Sequence, residues 1–223
     1  MNLPEKWRPK TLDEVVGQDT VLTSIREKVD REGLTGQAFF FVGKSGCGKT
    51  STARILSDTV QPYFERFEID AADLNIDTVR DWEAKCKRGC PIGCHGFGFT
   101  VNEADTLRGP ILRHLLTTLE VPAVVQYSTW FFTCTPAGEQ DLFSGMDDAE
   151  TERALNPFGS RVDTYRFASD EAVVLPFALR LREIAQAESM DGFPLDRYVG
   201  LVRQHKSNFR ECLRVIGRGE FKA

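Results

Sequence analysis

One loop limits what this chain can fold into more than any other feature of its sequence. Residues 43–50 read GKSGCGKT, which matches the pattern G-x-x-x-x-G-K-T. They lie between the apolar run AFFFV and the helical-looking segment KTSTARIL. The pattern carries chemical meaning in this strand, loop, helix context. The sequence therefore predicts an α/β protein with a phosphate-binding loop. The predicted binding residues of this loop are Gly43, Lys44, Ser45, Gly46, Cys47, Gly48, Lys49, Thr50 and Ser51.

Each part of the loop has a physical role in holding phosphate. Glycines let backbone N–H groups turn toward the phosphates, and the helix N-terminus adds a partial positive charge. Lys49 would reach the β and γ phosphates, and the Thr50 hydroxyl would bind Mg²⁺. The predicted ligand is a nucleoside triphosphate with Mg²⁺. The loop alone fits a motor ATPase and a small-molecule kinase equally well, and a chance match to a glycine-rich turn is the remaining alternative.

Hydrophobic patterning predicts a mostly parallel sheet covered by helices. Five apolar or β-branched runs, QAFFFVG, FERFEIDAA, FGFTVN, TWFFTCT and VDTYRF, alternate with helical segments up to Phe167. Beyond that residue only helical spacing remains, and Pro176 predicts a kink or a delayed helix start. We therefore predict a nucleotide-binding α/β domain at 1–167 and a helical domain at 168–223.

Composition bounds the class of protein. A chain of 223 residues with 41% hydrophobic residues can bury a core, and a net charge of -5 argues against coating nucleic acid with the whole surface. No apolar run approaches the roughly 18 residues of a membrane span, and the N-terminus has no signal-like core. We expect a cytoplasmic protein, or a nuclear one if the source is eukaryotic, with no membrane partner and six reduced cysteines.

Six further segments, in order, resemble the clamp-loader branch of the AAA+ ATPases, which includes the small subunits of replication factor C and the bacterial and phage loader subunits. They are EKWRPKTLDEVVGQ, EIDAADLNIDTVRDW, PIGCHGFGFTVNEADTL, FTCTP, GSRVDTYRF and SNFRECLRVI. The resemblance covers essentially the whole chain. It implies an AAA+ P-loop fold, with a parallel five-stranded sheet sandwiched by helices and followed by a small helical lid.

The resemblance also implies roles for individual residues. Glu103 would polarise the attacking water, Thr135 would be the first sensor, and Arg210 would reach the γ phosphate from the lid. Arg161 would act in trans, as an arginine finger on a neighbouring subunit's nucleotide. Thr50 and Asn102 would face Mg²⁺. The residues implied to line the adenine pocket are Arg8, Pro9, Val16 and Gln18.

Four departures from the family pattern bear on this reading. Asn102 stands where the family has Asp; its carbonyl can accept a hydrogen bond but carries no charge, which could cost a few kcal/mol of metal affinity. Val162 replaces a cysteine beside Arg161. The acidic segment 137–159 is longer than the corresponding connection in the family. It would be either a partner-contact loop or a solvated insert. The sequence ends after the lid, so the helical collar domain is expected to be absent.

A cysteine cluster and a basic segment lie between the second and third apolar runs. Cys86, Cys90, Cys94 and His95 could supply four zinc ligands, but spacings of three and adjacent ligands are unusual, so zinc is unlikely. The basic residues form either a solvated helix face or a surface for DNA phosphates. They are Arg80, Lys85, Lys87 and Arg88 in this segment, and Arg108 and Arg113 in the next helical segment.

We therefore expect an ATPase with reduced turnover, acting as a subunit of a clamp loader. Its implied partners are other AAA+ loader subunits, a sliding clamp and primer-template DNA. Two alternatives stay open at this point: a nucleotide-binding subunit that does not hydrolyse, indicated by Asn102, and a related AAA+ ATPase of branch migration or recombination.

Overall fold

The computed structural model describes residues 2–62, 66–107, 109–137 and 161–222. The chain divides into two compact units. The first comprises Met1–Ser24, Gly43–Thr52 and Phe167–Ala223, and the second comprises Ile25–Val42 and Ala53–Arg166. Most of the acidic segment 137–159 lies outside the described residues. The predicted division into 1–167 and 168–223 stays a prediction.

The second unit contains a five-stranded, all-parallel sheet in the order β2-β3-β4-β1-β5. Its strands are β1 Ala38–Val42, β2 Phe67–Asp70, β3 Phe97–Asn102, β4 Ser128–Cys134 and β5 Asp163–Arg166. The three inner strands are buried at every residue, as expected of parallel strands covered on both faces. The edge strand β2 alternates apolar and polar residues, and the edge strand β5 has one buried residue, Tyr165. The five predicted strands and their parallel arrangement are confirmed.

Helices join these strands along the chain. They are α2 Asp19–Glu32, α3 Lys49–Val60, α4 Ile76–Lys87, α5 Gly109–Thr118 and α6 Pro122–Tyr127. α4 begins at an asparagine cap, where the Asn75 side chain accepts a hydrogen bond of 2.8 Å from the Thr78 backbone N–H. The aromatic rings of Trp82, Phe99 and Trp130 pack together in the core, with centroids 4.7–5.6 Å apart.

The first unit contains a helical cluster with its own core. Its helices are α1 Leu3–Lys6, α7 Val174–Ala187, α8 Leu195–Gln204 and α9 Phe209–Gly217. Phe177, Leu181, Tyr198 and Ile216 are almost fully buried in this core. The α-helix starts late, as Pro176 predicts: a 3-10 turn at Glu171–Val173 precedes α7.

The N-terminal segment is anchored to this helical cluster. Leu3 is fully buried in the cluster, and the Trp7 indole donates a hydrogen bond of 2.8 Å to Glu188 Oε1. The Arg180 guanidinium lies 5.7 Å from the centre of the Trp7 ring. The two ends of the sequence therefore meet in one unit. Among the described residues, no helix has the length and apolar character needed to cross a bilayer.

Candidate nucleotide-binding site

The phosphate loop has backbone geometry that only glycine tolerates well. Gly46 and Gly48 have φ angles of 77° and 109°. A Cβ atom on Gly46 would lie 2.1 Å from Asn208 Oδ1, so side-chain space is also absent there. Lys44 and Ser45 form the exposed tip of the loop. The loop therefore needs its glycines for conformation and for close approach.

Lys49 is buried inside the loop, where its ammonium group is held by backbone oxygens. Its Nζ donates hydrogen bonds of 2.6 Å to the Gly43 carbonyl and 2.9 Å to the Lys44 carbonyl. α3 begins at Lys49, so the N–H groups of its first turn, including those of Thr50 and Ser51, lie at a helix N-terminus. A curled glycine backbone, a cation and a helix N-terminus form a donor set that fits a triphosphate, and the Thr50 hydroxyl fits its Mg²⁺.

Cys47 is a neutral thiol in this loop. Burial raises the pKa of Cys47, and this effect outweighs the opposing charge of Lys49. Its Sγ atom would lie 2.8 Å from a Cβ on Gly43. Cys47 therefore fills the space beneath the first glycine and carries no charge into the phosphate site.

The predicted adenine-pocket residues lie in the same unit as the loop. The Gln18 side-chain amide is buried and hydrogen-bonded to the backbone of Ala168. Val16 packs against the helical cluster, and Pro9 is half-buried. Arg8 forms an ion pair with Glu5. Gly48 approaches this segment as well, since a Cβ there would lie 3.0 Å from Val15 Cγ1.

Arg210 is the second residue of α9, and its side chain is exposed. The backbone nitrogen of Arg210 would lie 3.2 Å from a Cβ on Gly46, so the start of α9 faces the phosphate loop. Asn208 caps this helix by accepting a hydrogen bond from the Glu211 N–H at 3.3 Å. The first unit thus brings together the loop, the predicted adenine-pocket residues and Arg210.

Asn102 ends β3 in the second unit, and its amide is held from both sides. Its Nδ2 donates a hydrogen bond of 2.8 Å to Glu68 Oε1 on β2. Its Oδ1 accepts one of 3.1 Å from the Thr133 hydroxyl on β4. Asn102 is therefore part of a polar network that crosses three neighbouring strands.

Glu103 follows Asn102 in a left-handed backbone conformation, with φ 52° and ψ 46°. Such a conformation is costly for a residue with a side chain, and it concentrates at functional positions. The Glu103 side chain is exposed, and its carbonyl accepts a hydrogen bond from the Thr106 hydroxyl at 2.9 Å. The turn therefore sends the carboxylate out of the sheet instead of into the core.

Thr135 and Arg161 also lie in the second unit. Thr135 directly follows β4 and is half-buried, and its carbonyl lies 2.9 Å from Cys134 Sγ. Arg161 precedes β5 and forms an ion pair with Glu120. The roles implied for these two residues stay predictions.

The site residues predicted from the sequence do not include Glu68, Arg54, Thr133 or Asn208. One signal was present: in FEID the polar residues Glu68 and Asp70 alternate with apolar ones, which places both on one face of a strand. The contact with Asn102 depends on the pairing of β2 with β3, which the pattern does not specify.

The cysteine cluster and the basic segment show ordinary local contacts. Cys86 is buried, which raises its pKa to about 11, and Cys90 Sγ lies 3.3 Å from the Cys94 carbonyl. Within the described ranges, no group of three or more His, Cys, Asp or Glu side chains is arranged to hold a metal ion. Arg80 and Lys87 pair with Asp77 and Glu83 on their own helix.

Comparison with solved structures supports the class of protein that this fold and loop define. A variant of RuvB from Thermotoga maritima matches with a TM-score of 0.68 over 95% of this chain and 64% of that chain, at 16% identity. DnaA from Aquifex aeolicus matches with a TM-score of 0.54 over 95% of this chain and 69% of that chain, at 14% identity. These identities are low enough that the likeness concerns the fold. The chain has the P-loop fold of the AAA+ class, as predicted.

Sequence relatives are more specific, although no protein-family model matches the chain. The replication factor C small subunit of Archaeoglobus fulgidus is 37% identical over 122 residues, covering 52% of this chain and 38% of the relative. That of Methanosphaera stadtmanae is 26% identical over 194 residues, covering 84% and 53%. Replication factor C subunit 3 of Saccharomyces cerevisiae is 38% identical over 115 residues, covering 48% and 33%. The chain thus spans about half or less of these relatives, and its resemblance to the clamp-loader branch of the AAA+ ATPases is confirmed.

Proposed function

We propose that this chain is the ATP-binding subunit of a clamp loader, which uses ATP binding and hydrolysis to load a sliding clamp onto primed DNA during replication. The observation that carries the proposal is the phosphate loop, with glycines in left-handed conformations and Lys49 buried within it. The similarity to replication factor C small subunits supports the choice of this function over other uses of the loop.

The loop would bind the phosphates of ATP. Lys49 would exchange its contacts with the Gly43 and Lys44 carbonyls for phosphate oxygens, which carry more negative charge and bind an ammonium more strongly. Thr50 would hold Mg²⁺, which supplies positive charge to the phosphate oxygens. Arg8, Pro9, Val16 and Gln18 would line the adenine pocket, as the resemblance implies.

Hydrolysis would rest on placed charge, because phosphoryl transfer needs little covalent chemistry from the protein. Glu103 would orient and polarise the attacking water, since its turn directs an exposed carboxylate away from the core. Asn102 would contribute its carbonyl oxygen near the metal. Thr135 and Arg210 would act as sensors. Arg161 would complete the site of a neighbouring subunit, in trans.

The proposed partners are other AAA+ loader subunits, a sliding clamp and primer-template DNA. α4 and the residues that follow it offer Arg80, Lys85, Lys87 and Arg88 to DNA phosphates. Contacts of this kind require no base sequence and weaken as salt rises.

A second candidate is a nucleotide-binding subunit that does not hydrolyse ATP. It is favoured by Asn102, whose amide brings no negative charge to the metal site. This candidate predicts tight nucleotide binding without turnover.

Steady-state ATP turnover, measured with candidate loader subunits, tests the proposal. We expect turnover that rises when a clamp and primed DNA are added together, and that is lost in Lys49→Ala. Turnover that ignores the clamp and primed DNA contradicts the clamp-loader function. Stimulation by four-way DNA junctions instead would favour a branch-migration ATPase, and binding without turnover would favour the second candidate.

A further inference from the structure

A chain of polar contacts runs across the sheet beside the proposed catalytic turn. Arg54, on the helix that follows the phosphate loop, makes a bidentate ion pair with Glu68, with distances of 2.6 and 2.9 Å. Glu68 accepts from Asn102, and Asn102 accepts from Thr133. The Arg54 and Glu68 side chains are only 28% and 17% exposed. The network therefore links α3, β2, β3 and β4 through largely buried side chains.

The direction of these hydrogen bonds follows from chemistry. An ionised carboxylate only accepts hydrogen bonds, whereas an amide has a donating end and an accepting end. Glu68 therefore requires the NH₂ group of Asn102 to point toward β2. The amide oxygen then points toward Thr133, whose hydroxyl can donate.

We propose that Glu68 is a positioning residue that sets the orientation of the Asn102 amide, and that it is the reason why position 102 carries an amide. The inference rests on the proposed ATPase function, in which the oxygen of Asn102 lies near Mg²⁺ and Glu103 follows it in the chain. Arg54 fixes Glu68 in turn, because its guanidinium occupies both carboxylate oxygens.

Changing either partner alone disturbs this arrangement. In Glu68→Gln, one of the two Arg54 hydrogen bonds is lost, and an NH₂ group in place of Oε1 would face both Arg54 and Asn102. In that orientation the Asn102 amide reverses, because Thr133 can also act as an acceptor, so the Asn102 amide no longer has one fixed orientation. In Asn102→Asp, a second carboxylate would meet Glu68 at hydrogen-bond distance, and like charges that close repel.

The double variant Asn102→Asp with Glu68→Gln restores a consistent direction. Arg54 would donate to Gln Oε1, Gln Nε2 would donate to the Asp carboxylate, and Thr133 would donate to its other oxygen. Both oxygens of Asp are acceptors, so its orientation no longer depends on residue 68. This variant also places the charge of the family's Asp at position 102.

Asp58→Asn is the matched control. Asp58 lies on the same helix as Arg54 and makes a bidentate ion pair with Arg66, with distances of 2.7 and 2.6 Å. Both residues of this pair are nearly half exposed. The control removes an equivalent carboxylate from α3 without touching Asn102.

The kinetic test compares kcat, the KM for ATP and the Mg²⁺ concentration for half-maximal turnover. We expect Glu68→Gln to lower kcat by roughly 10- to 100-fold with little change in KM, because misplacement affects chemistry more than binding. We expect the double variant to recover most of the lost kcat. We also expect it to reach half-maximal turnover at a lower Mg²⁺ concentration than the parent. Equal effects of Glu68→Gln and Asp58→Asn, or a double variant no better than Glu68→Gln, would overturn the inference.

A thermal unfolding cycle of the same variants gives a readout that does not need turnover. We expect Asn102→Asp to lower the Tm and the added Glu68→Gln to raise it again, whereas strictly additive changes in Tm would overturn the inference. If the parent binds ATP without turnover, hydrolysis in the proposed function is wrong. The unfolding cycle then still decides whether Glu68 orients residue 102.

Discussion

The side-chain amide of Gln18 pairs with the backbone of Ala168, 150 residues further along the chain. Its Nε2 donates a hydrogen bond of 2.9 Å to the Ala168 carbonyl, and its Oε1 accepts one of 2.8 Å from the Ala168 N–H. Gln18 is almost fully buried. This pair satisfies both backbone groups of Ala168 and links the segment that contains Gln18 to that residue.

We expect Gln18→Glu to destabilise the fold by about 1–3 kcal/mol at neutral pH, because a carboxylate cannot donate to the Ala168 carbonyl. ATP affinity should fall as well if this segment lines the adenine pocket. Thermal unfolding and ATP titration measure both effects, with the exposed Gln126→Glu as the control. A Gln18→Glu variant as stable as this control would contradict the role of the pair.

We expect Gly46→Ala to destabilise the protein by more than the positive φ angle of residue 46 alone would cause. Gly33 has the same φ of 77° and no atoms within 4 Å of an added Cβ, so Gly33→Ala measures the conformational cost, about 1–2 kcal/mol. Gly46→Ala adds a collision with the Asn208 side chain. We expect a larger loss of stability and at least roughly a tenfold loss of ATP affinity, about 1.4 kcal/mol. Equal losses of stability in the two variants would contradict the close approach of loop and α9.

Arg161→Ala should reduce turnover only in an assembled complex. An arginine finger in trans contributes roughly 10³-fold or more to kcat, while ATP binding by the isolated chain should not change. Arg203→Ala, which removes another surface ion pair, is the control. We expect Glu120→Gln to preserve or raise turnover, because it releases Arg161 from its partner in the same chain. Weaker ATP binding by isolated Arg161→Ala would argue for a role in its own subunit.

The stabilisation that Glu188 gives to the N-terminal segment should depend on pH. Hydrogen bonds from Lys6 and Trp7 lower the pKa of Glu188 below its ordinary value of 4.5. The unfolded chain therefore binds a proton at Glu188 more readily than the folded protein does. The stabilisation by ionised Glu188 is complete above the ordinary pKa and is lost as pH falls through the folded pKa.

We accordingly expect Glu188→Gln to lower the Tm at pH 7 and to differ less from the parent as the solution is acidified. Glu183→Gln, on the exposed side of α7, is the control. A difference in Tm between Glu188→Gln and the parent that stays constant with pH would show that Glu188 does not act through its charge.

The sequence predicted the strands well because each is a short apolar run between turn signals. β1, β3 and β4 are buried throughout, so their residues show no competing pattern. α2 was absent from the predicted helices, although its 14 residues carry apolar positions at helical spacing. Its many charged residues weaken that pattern.

The candidate site was only partly predictable, for a physical reason. The phosphate loop is a local motif, so its residues could be read directly. The contacts of Asn102 depend on which strands are neighbours and on their register, and Glu68 is 34 residues away in the chain. The left-handed turn at Glu103 could not be predicted from a glycine, because Glu103 itself adopts the left-handed conformation. Sequence therefore identified the chemical groups, and the fold defined their partners.

Equilibrium binding of ATP to the purified chain, in the presence of Mg²⁺, tests the central claim most directly. The account predicts saturable binding by the parent and a loss of at least roughly tenfold in affinity in Lys49→Ala, about 1.4 kcal/mol, because the buried ammonium inside the loop is the main positive charge there. The loss should be smaller in Lys44→Ala, because the Lys44 side chain lies at the exposed tip of the loop. No saturable binding by the parent, or equal binding by Lys49→Ala, would contradict the account.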